Sequence, residues 1–291
     1  MNENLIESIQ NQLNELTNKK FTKDYIKKYL YPIFEYIITS KKEKFLIAGS
    51  QGIGKSTLLK VLEKNLQIYF KKNILSLSLD DYYLSKKQRI ILSKKVHNLL
   101  LTRGVPGTHN TDLLLKNIDS FEKSRYPIKL PIFNKLKDDN SKKFRIIKSK
   151  KDILLLEGWC CGCSAIDDNY LYKNINSLEK NKDKDMSWRK FYNQKLKNEY
   201  AKIFNCFDEI IYFKPPLFSN VVNWRFKQEK MLKKINKAKT SMNKKQIIEF
   251  VQHYEKITKW MKKKLPLKSS LIISVGKDQK IKKIFRRKNV F

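Results

Sequence analysis

The most informative segment of the chain reads Gly49-Ser50-Gln51-Gly52-Ile53-Gly54-Lys55-Ser56. It satisfies the pattern G-x-x-x-x-G-K-[ST], in which the backbone N–H groups of a glycine-rich loop surround a phosphate group. The apolar segment 45–48 before it predicts a buried strand, and the apolar spacing after it predicts a helix over 55–66. Only eight residues of the chain are glycine, and three of them fall in this loop. Since a chain of this composition is expected to contain roughly 0.004 chance matches, the motif predicts a phosphate-binding loop.

Outward from this loop, short apolar segments alternate with helical patterns along the chain. Strands are expected to begin at Phe45, Ile74, Ile153, Ile210 and Leu271. Helices are expected over 4–18, 22–40, 55–66, 111–121, 186–206, 219–236 and 243–264. Because short apolar strands that alternate with helices form parallel sheets covered on both faces, we predict a three-layer α/β/α fold with a mostly parallel five-stranded sheet. The predicted divisions are an N-terminal helical extension (1–42), the domain that carries the loop (43–279) and a basic tail (280–291).

The loop indicates that the chain binds a nucleoside triphosphate together with Mg²⁺. Lys55 is expected to contact the β- and γ-phosphates, and the Ser56 hydroxyl is expected to bind Mg²⁺. The N-terminus of the helix that starts at Lys55 adds a partial positive charge. The residues expected to bind the nucleotide are Gly49, Ser50, Gln51, Gly52, Ile53, Gly54, Lys55, Ser56 and Thr57.

Acidic residues follow two of the other predicted strands. Glu157 comes directly after the apolar segment 153–156, at the edge of the sheet where ligands of open α/β folds bind. It is therefore a candidate for holding Mg²⁺ or its water shell. Asp80 and Asp81 end the strand that begins at Ile74. Because adjacent side chains at a strand end point in different directions, one carboxylate can face a substrate hydroxyl while the other faces the metal or caps a helix.

The composition is strongly basic, with 63 Lys and Arg against 28 Asp and Glu and a formal net charge of +35. Only eight of the basic residues are arginine, and the lysines are spread along the whole chain. Nucleic-acid recognition concentrates arginine in local patches, so this composition argues against nucleic acid as the main partner. A basic NTPase associated with nucleic acid stays open as the alternative. The positive charge also favours anionic small molecules.

The sequence predicts neither a membrane span nor a secretory signal. Its apolar runs are too short to cross a bilayer, and its first residues lack a basic region followed by an apolar core. Three of the four cysteines, at Cys160, Cys161 and Cys163, form neither a disulfide framework nor a zinc pattern, which suits a reducing compartment. We therefore expect a cytoplasmic protein without a membrane partner. The sequence leaves its oligomeric state open.

Seven segments together resemble the D-glycerate 3-kinase family, a branch of the P-loop kinases that also include uridine kinase, pantothenate kinase and phosphoribulokinase. In chain order they are the loop at 49–56, Leu79-Asp-Asp-Tyr-Tyr-Leu, Thr102-Arg-Gly-Val-Pro-Gly-Thr-His-Asn110, Pro131-Ile-Phe-Asn-Lys135, Leu156-Glu-Gly-Trp-Cys160, Asn223-Trp-Arg-Phe-Lys-Gln-Glu229 and Phe250-Val-Gln-His-Tyr254. The Arg-Gly-x-Pro-Gly-Thr-His and Glu-Gly-Trp segments distinguish this family from its sister kinases.

The resemblance implies an ATP- and Mg²⁺-dependent kinase of a small hydroxy acid, with the conversion of D-glycerate to 3-phosphoglycerate as the leading reaction. It implies that Asp80 is the catalytic base, that Glu157 binds the metal with Ser56, and that Arg225 lies in a helical lid over the phosphates. Lys55 and Arg225 complete the expected catalytic group with Asp80. The expected substrate-binding residues are Asp81, Tyr83, Arg103, His109 and Lys135. A retained arginine in a lysine-rich chain also suggests, for Arg103, a planar partner such as a carboxylate or phosphate.

Two positions depart from the usual pattern of this family. Asn110 stands where an aspartate usually follows the histidine, and Asn140 stands where an arginine usually follows the acidic pair. Either change could retune the acceptor, or could reflect only the general enrichment of lysine and asparagine in this chain. A kinase of another small acceptor, similar to uridine kinase or pantothenate kinase, therefore remains an alternative to a D-glycerate kinase.

Overall fold

The computed structural model describes residues 2–236 and 242–287, with the backbone alone for residue 228 and residues 230–236. Its strands are β1 (Lys44–Gly49), β2 (Ile74–Ser78), β3 (Ile128–Leu130), β4 (Phe133–Asn134), β5 (Asp139–Asn140), β6 (Arg145–Ile147), β7 (Ile153–Gly158), β8 (Glu209–Lys214), β9 (Leu271–Val275) and β10 (Ile281–Arg286). Its α-helices are α1 (Glu3–Thr17), α2 (Lys23–Tyr25), α3 (Tyr31–Thr39), α4 (Lys55–Phe70), α5 (Lys86–Lys95), α6 (Thr111–Glu122), α7 (Asp168–Leu171), α8 (Ser177–Lys182), α9 (Ser187–Lys195), α10 (Ala201–Asn205), α11 (Phe218–Asn236) and α12 (Lys244–Lys264).

The central sheet has the strand order β10-β9-β8-β1-β7-β2. The five predicted strands are all present and pair in parallel. The sixth strand, β10, pairs antiparallel with β9 at the edge. This strand corrects the expectation of a separate basic tail over 280–291, because Ile281–Arg286 are hydrogen-bonded into the sheet. The rest of that predicted tail, from Lys288 onward, lies outside the described residues.

Helices cover both faces of the sheet, because side chains along each strand alternate between two apolar cores. On β1, Leu46 and Ala48 belong to one core, which contains residues of α6, α9, α10 and α12. Phe45 and Ile47 belong to the other core, which contains residues of α1, α3, α4 and α11. The three-layer α/β/α arrangement with a mostly parallel sheet is thereby confirmed.

The N-terminal helices α1–α3 (the N-terminal layer) pack into the same core as α4 and α11 rather than forming an appendage. Leu5, Ile6 and Ile9 on α1 are buried completely or almost completely, in the same core as Phe45 and Ile47. The helix predicted over 22–40 is present as α2 and α3, joined by a π-helical turn. Pro32 lies in the first turn of α3. Since proline has no N–H, the wider turn before it accommodates the missing helical hydrogen bond.

The parallel strands place their carboxyl ends along one edge of the sheet. There β1 leads into the glycine-rich loop, β2 into a 3-10 turn (Leu79–Tyr82), and β7 into the cysteine-containing loop. Two small antiparallel pairs lie outside the main sheet: β3 with β6, and the hairpin β4–β5 between them in the chain. No helix within 2–236 or 242–287 combines the length and apolar character needed to cross a bilayer.

Candidate active site

The phosphate loop lies between β1 and the start of α4, as predicted. Gly52 and Gly54 have φ angles of +73° and +108°, in the region that favours glycine. A Cβ atom added to Gly54 would meet no atom within 4 Å, so the loop is open to a ligand there. The Ser50 hydroxyl is buried without a hydrogen-bond partner among the described residues. An open glycine and an unpaired buried hydroxyl fit a loop that surrounds a phosphate group.

Lys55 and Ser56 begin α4 and turn toward the end of β7. The Lys55 ammonium donates to the Ser50 carbonyl oxygen at 3.2 Å and lies 4.0 Å from a Glu157 carboxylate oxygen. The Ser56 hydroxyl donates to the other oxygen of Glu157 at 3.1 Å. Both Lys55 and Glu157 are buried. The predicted metal pair, Ser56 and Glu157, therefore lies together, and oxygen donors of this kind fit Mg²⁺.

Ser78, the last residue of β2, is a third member of this cluster and was not predicted. Its hydroxyl donates to Glu157 at 2.7 Å, to the same oxygen that accepts from Ser56. Because β2 and β7 are paired in parallel with Ser78 opposite Glu157, the two residues share the sheet edge. A serine that ends an apolar strand carries little sequence signal, so only the strand pairing identifies it.

Asp80 follows β2 and lies at the centre of the neighbouring cleft. The Lys135 ammonium donates to one of its oxygens at 2.7 Å, and the Tyr83 hydroxyl donates to the other at 2.6 Å. Burial raises the pKa of Asp80, but the nearby Lys135 charge and these two hydrogen bonds outweigh it and hold the pKa at about 2. The charge of Lys55 acts in the same direction. Asp80 is therefore a carboxylate throughout the physiological pH range.

Asp81, which was predicted to bind substrate, faces away from this cleft. Its carboxylate accepts a hydrogen bond from the Phe133 N–H at 3.2 Å, and so joins the end of β2 to the β4–β5 hairpin. Burial raises the pKa of Asp81. The two adjacent acids thus point in different directions, as predicted, and only Asp80 lines the cleft.

Arg103 reaches the cleft from the loop before α6. Its guanidinium pairs with Asp138 and lies over the Phe133 ring, 5.4 Å from the ring centre. Asp138 is also held by Arg89, whose side chain is almost completely buried. Arg89 donates to the backbone oxygens of Asp138 and Leu101 as well, both at 2.7 Å. Arg89, which the sequence did not identify as a site residue, therefore fixes the position of Asp138, the partner of Arg103.

Helices α11 and α12 contribute further residues to the cleft lining. Arg225 on α11 pairs with Glu229 at 2.9 Å and lies 5.3 Å from the centre of the Phe250 ring. Among the residues whose side chains the structure describes, the lining consists of Gln51, Asp80, Tyr83, Arg103, Lys135, Val221, Arg225, Phe250, Val251 and Tyr254. Three cationic side chains and one carboxylate thus surround a small cleft that includes a phosphate-loop residue.

His109, which was predicted to bind substrate, does not line the cleft. It lies behind Tyr83, with 4.8 Å between the ring centres, and its Nδ1 is hydrogen-bonded to the Tyr200 hydroxyl. Burial lowers the pKa of His109 to about 3, so the ring is neutral at physiological pH. The structure places it as a support for Tyr83, one layer away from the cleft.

The two departures from the family pattern have local structural roles. The side chain of Asn110 accepts from the Leu113 N–H at 3.0 Å and caps the start of α6, which an aspartate could do equally well. Asn140 lies in β5, opposite Phe133. Neither residue lines the cleft.

Comparisons with known proteins show that the chain is similar to kinases. The chain matches no protein-family model. It is 31% identical over 222 residues to the uncharacterized kinase mug58 of Schizosaccharomyces pombe, covering 72% of this chain and 76% of that protein. It is 30% identical over 251 residues to the probable ATP-dependent kinase TDA10 of Saccharomyces cerevisiae, covering 80% of this chain and 82% of that protein.

A solved structure shares the fold over almost the whole chain. The D-glycerate 3-kinase from Cryptococcus neoformans superposes with a TM-score of 0.70, covering 98% of this chain and 98% of that chain. The two sequences are 20% identical, so this likeness concerns the fold alone.

Proposed function

The chain belongs to the family of P-loop kinases that contains these two yeast proteins, and we propose that it transfers the γ-phosphoryl group of ATP to a hydroxyl group of a small organic acid. Membership agrees with the resemblance to the D-glycerate 3-kinase family. We name D-glycerate as the acceptor and 3-phosphoglycerate as the product.

The observation that carries the proposal is the position of Asp80 among cations beside the phosphate loop. Asp80 can accept a hydrogen bond from an acceptor hydroxyl. Arg103 and Arg225 can bind a carboxylate or phosphate through two parallel hydrogen bonds. A short molecule with a hydroxyl at one end and a carboxylate at the other matches this arrangement, and glycerate is such a molecule.

The phosphate loop supports ATP and Mg²⁺ as the other reactants. The backbone of 49–54 and the Lys55 ammonium would hold the phosphates, while Ser56 and Glu157 would hold the ion. When bound, Mg²⁺ offsets negative charge on the phosphate oxygens. Gln51 belongs to the loop and to the cleft lining, so the nucleotide and the acceptor would meet at this residue.

In this proposal Asp80 acts mainly by orienting the acceptor hydroxyl. A carboxylate with a pKa of about 2 is a weak base. In phosphoryl transfer the transition state is loose, so positioning of the hydroxyl contributes more than early removal of its proton. The new O–P bond forms as the bond to the departing ADP breaks, and the hydroxyl proton passes to Asp80. Arg225 would offset the charge on the transferring group.

An ADP-release assay with a panel of acceptors tests the proposal. We expect turnover with D-glycerate and Mg²⁺, and much less with L-glycerate, pantothenate or uridine. Phosphorus NMR of the product should show phosphate on the terminal hydroxyl. Strong stimulation by RNA or DNA, without any by the small alcohols, would overturn the kinase proposal in favour of a nucleic-acid-associated NTPase.

A loop variant is the control for contaminating kinases in that assay. Lys55→Met removes the ammonium from the phosphate site while roughly keeping the volume of the side chain. It should reduce turnover by about 10²-fold or more, the usual cost of losing a charge-stabilising donor. If turnover survives this change, either the activity comes from a contaminating enzyme or the phosphate loop takes no part in the reaction.

A further inference from the structure

The turn between β9 and β10 reaches the phosphate loop from the far end of the chain. The Gln279 side-chain nitrogen donates to the Gly52 carbonyl oxygen at 2.6 Å. Gly52 lies in the middle of the loop, and its carbonyl accepts this hydrogen bond from outside the β1–α4 segment. The contact exists because β10 returns antiparallel along β9 and brings the turn to the sheet edge beside β8 and β1.

Gln279 adopts a backbone conformation that is unusual for its residue type. Its φ angle is +63°, in the left-handed region. The turn holds it there, since the Gln279 N–H donates to the Gly276 carbonyl at 3.0 Å and the Gly276 N–H donates to the Lys280 carbonyl at 2.9 Å. A non-glycine residue in this region costs free energy that the surrounding structure must offset. Glycine would avoid this cost but would lack the side chain that reaches Gly52.

Lys19 holds the other end of the same amide group. Its ammonium lies 3.4 Å from the Gln279 side-chain oxygen and donates to the Asp278 carbonyl at 3.2 Å. With the amide oxygen facing a cation, the amide nitrogen is directed toward Gly52. On the other side of the turn, the Trp224 indole donates to the Lys277 carbonyl at 3.0 Å and anchors it to α11.

Because of the geometry of the peptide bond, this contact affects how the loop can bind a phosphate group. A trans peptide is planar, so its C=O and N–H groups point in opposite directions. If Gln279 holds the Gly52 carbonyl on the outer side of the loop, the N–H of Ile53 in the same peptide must point toward the inner side. Inward N–H groups are what a phosphate loop uses to bind its ligand. A glycine such as Gly52 could otherwise rotate readily and turn the carbonyl inward.

We propose that Gln279 is a positioning residue for the phosphate loop, and that Lys19 orients its amide. In this role Gln279 keeps the Gly52–Ile53 peptide in the orientation that binds a nucleotide phosphate. The proposal rests on the kinase function for its ligand, but the contact itself involves only this chain. It also gives the N-terminal layer, through Lys19, an indirect effect on nucleotide affinity.

Gln279→Gly is the decisive variant, because it separates stability from ligand binding. Glycine adopts a φ of +63° without strain, so the melting temperature should stay unchanged or rise. The hydrogen bond to Gly52 is lost, so the Kd for ATP should rise about two- to tenfold, the range of one neutral hydrogen bond. The KM for ATP should rise likewise, whereas the KM for the acceptor should not change. Gln279→Ala should weaken ATP equally and also lower the melting temperature.

Amide hydrogen exchange gives a second readout that needs no nucleotide. In Gln279→Gly, exchange at residues 50–54 should accelerate, while exchange in β9 and β8 should stay as in the unaltered protein. Normal ATP affinity together with normal exchange in the loop would overturn the proposal. A loss of ATP affinity accompanied by a lower melting temperature and faster exchange throughout β9 would also overturn it, since Gln279 would then serve only the hairpin.

A charge-matched pair of lysines tests the role of Lys19. Lys19→Ala should raise the Kd for ATP by about twofold, and the effect should disappear in the Gln279→Gly background, because Lys19 acts through the amide. Lys20→Ala removes an exposed neighbouring charge and serves as the control. Equal effects of the two lysine variants would refute the role of Lys19. Failure of the unaltered protein to bind ATP would refute the proposed function instead, while the exchange comparison would still decide the role of Gln279.

Discussion

At Asp80, burial and neighbouring charge act on one carboxyl group in opposite directions. Burial alone would raise its pKa, whereas Lys135 and Tyr83 hold it at about 2. Asp81, one residue later, has a raised pKa and binds a backbone N–H of the β4–β5 hairpin. Asp80 and Asp81 therefore have different roles. Substitution of Asp80 should mainly affect phosphoryl transfer, whereas substitution of Asp81 should mainly affect stability.

Asp80→Asn keeps the shape of the side chain but removes the charge and the capacity to take a proton. We expect phosphoryl transfer to fall by about 10²–10⁴-fold, the range for loss of one general base or orienting carboxylate. ATP affinity, measured by titration without acceptor, should change little. Asp81→Asn is the matched control, and it should lower the melting temperature more than the rate. If the two variants lose transfer activity equally, the assignment of Asp80 to the reaction is wrong.

Lys135→Met should change the pH dependence of the reaction. The folded-state pKa of Asp80 lies below its ordinary value. The ionised Asp80 therefore stabilises the folded protein above about pH 4, and this stabilisation is lost as the pH falls through about 2. Without Lys135, only Tyr83 and Lys55 still offset the effect of burial, so the pKa of Asp80 should rise by about 1–3 units. The acid limb of kcat/KM should move to higher pH by that amount. Lys137→Met, an exposed neighbour, should leave the profile where it is.

Glu157→Gln should produce a defect that depends on the concentration of Mg²⁺. The amide keeps the hydrogen-bonding reach toward Ser56 and Ser78 but loses the charge that attracts the ion. The apparent KM for Mg²⁺ should rise, and excess Mg²⁺ should restore part of the rate. Asp80→Asn, assayed in the same titration, should show no such recovery. A Glu157→Gln defect that is insensitive to Mg²⁺ would exclude this carboxylate from the metal site.

At the scale of elements, the loop 102–110 is clamped between two parts of the molecule. The Tyr254 hydroxyl on α12 donates to the Arg103 carbonyl at 2.7 Å, and the Trp159 indole after β7 donates to the Gly104 carbonyl at 2.8 Å. The Gly104 N–H donates to the Thr108 hydroxyl at 2.9 Å. The loop that delivers Arg103 to the cleft is thus fixed by contacts from both helical and strand-end segments.

Gly104→Ala should disturb this loop and, through it, the acceptor site. Gly104 has a φ of +113°, and an added Cβ would lie 2.9 Å from a ring carbon of Tyr254. The backbone conformation alone should cost about 1–3 kcal/mol of unfolding free energy. The acceptor KM should rise while the Kd for ATP stays constant. Tyr254→Phe, which removes only the hydroxyl, should have a smaller effect on both stability and KM; an unchanged KM in Gly104→Ala would contradict the role of the loop.

At the scale of the whole molecule, two apolar cores on opposite faces of one sheet hold the chain together. The N-terminal layer contributes to one of them, and α12 contributes to both, since Ile257 and Trp260 belong to one core and Ile247 and Val251 to the other. The cleft opens where α11 and α12 meet the strand ends. Stability and site geometry therefore depend on segments from both ends of the sequence.

Ile9→Ala should show that the N-terminal layer is integral to the fold. Ile9 is completely buried against the core that contains Phe45 and Ile47. Removing its side chain beyond Cβ should lower the unfolding free energy by about 2–5 kcal/mol. Leu16→Ala, at a partly exposed position of the same helix, should lower it by much less. Chemical denaturation measures both, and an Ile9→Ala protein as stable as the unaltered one would mean that this layer is dispensable.

The parallel sheet, the phosphate loop and the acids at strand ends could be predicted from the sequence, because each depends on local spacing. A glycine-rich loop between an apolar strand and a helix has one common arrangement, and an acid directly after a buried strand must lie at the sheet edge. Lys55, Ser56, Glu157 and Asp80 accordingly lie where they were expected. The sixth strand was missed because half of the residues in Ile281–Arg286 are basic, and their pairing depends on the neighbouring β9 rather than on apolar content.

The tertiary structure alone decided which predicted side chains line the cleft. His109 lies behind Tyr83, and Asp81 faces the β4–β5 hairpin, because those packing contacts join segments distant in the sequence. Arg89 and Gln279 likewise depend on contacts between distant segments. Arg89 influences the cleft through Asp138, and the Gln279 side chain contacts Gly52 of the phosphate loop, 227 residues away in the sequence. Sequence spacing determines which edge of the sheet a residue occupies. Which direction its side chain takes there is determined by contacts that form only when the layers pack.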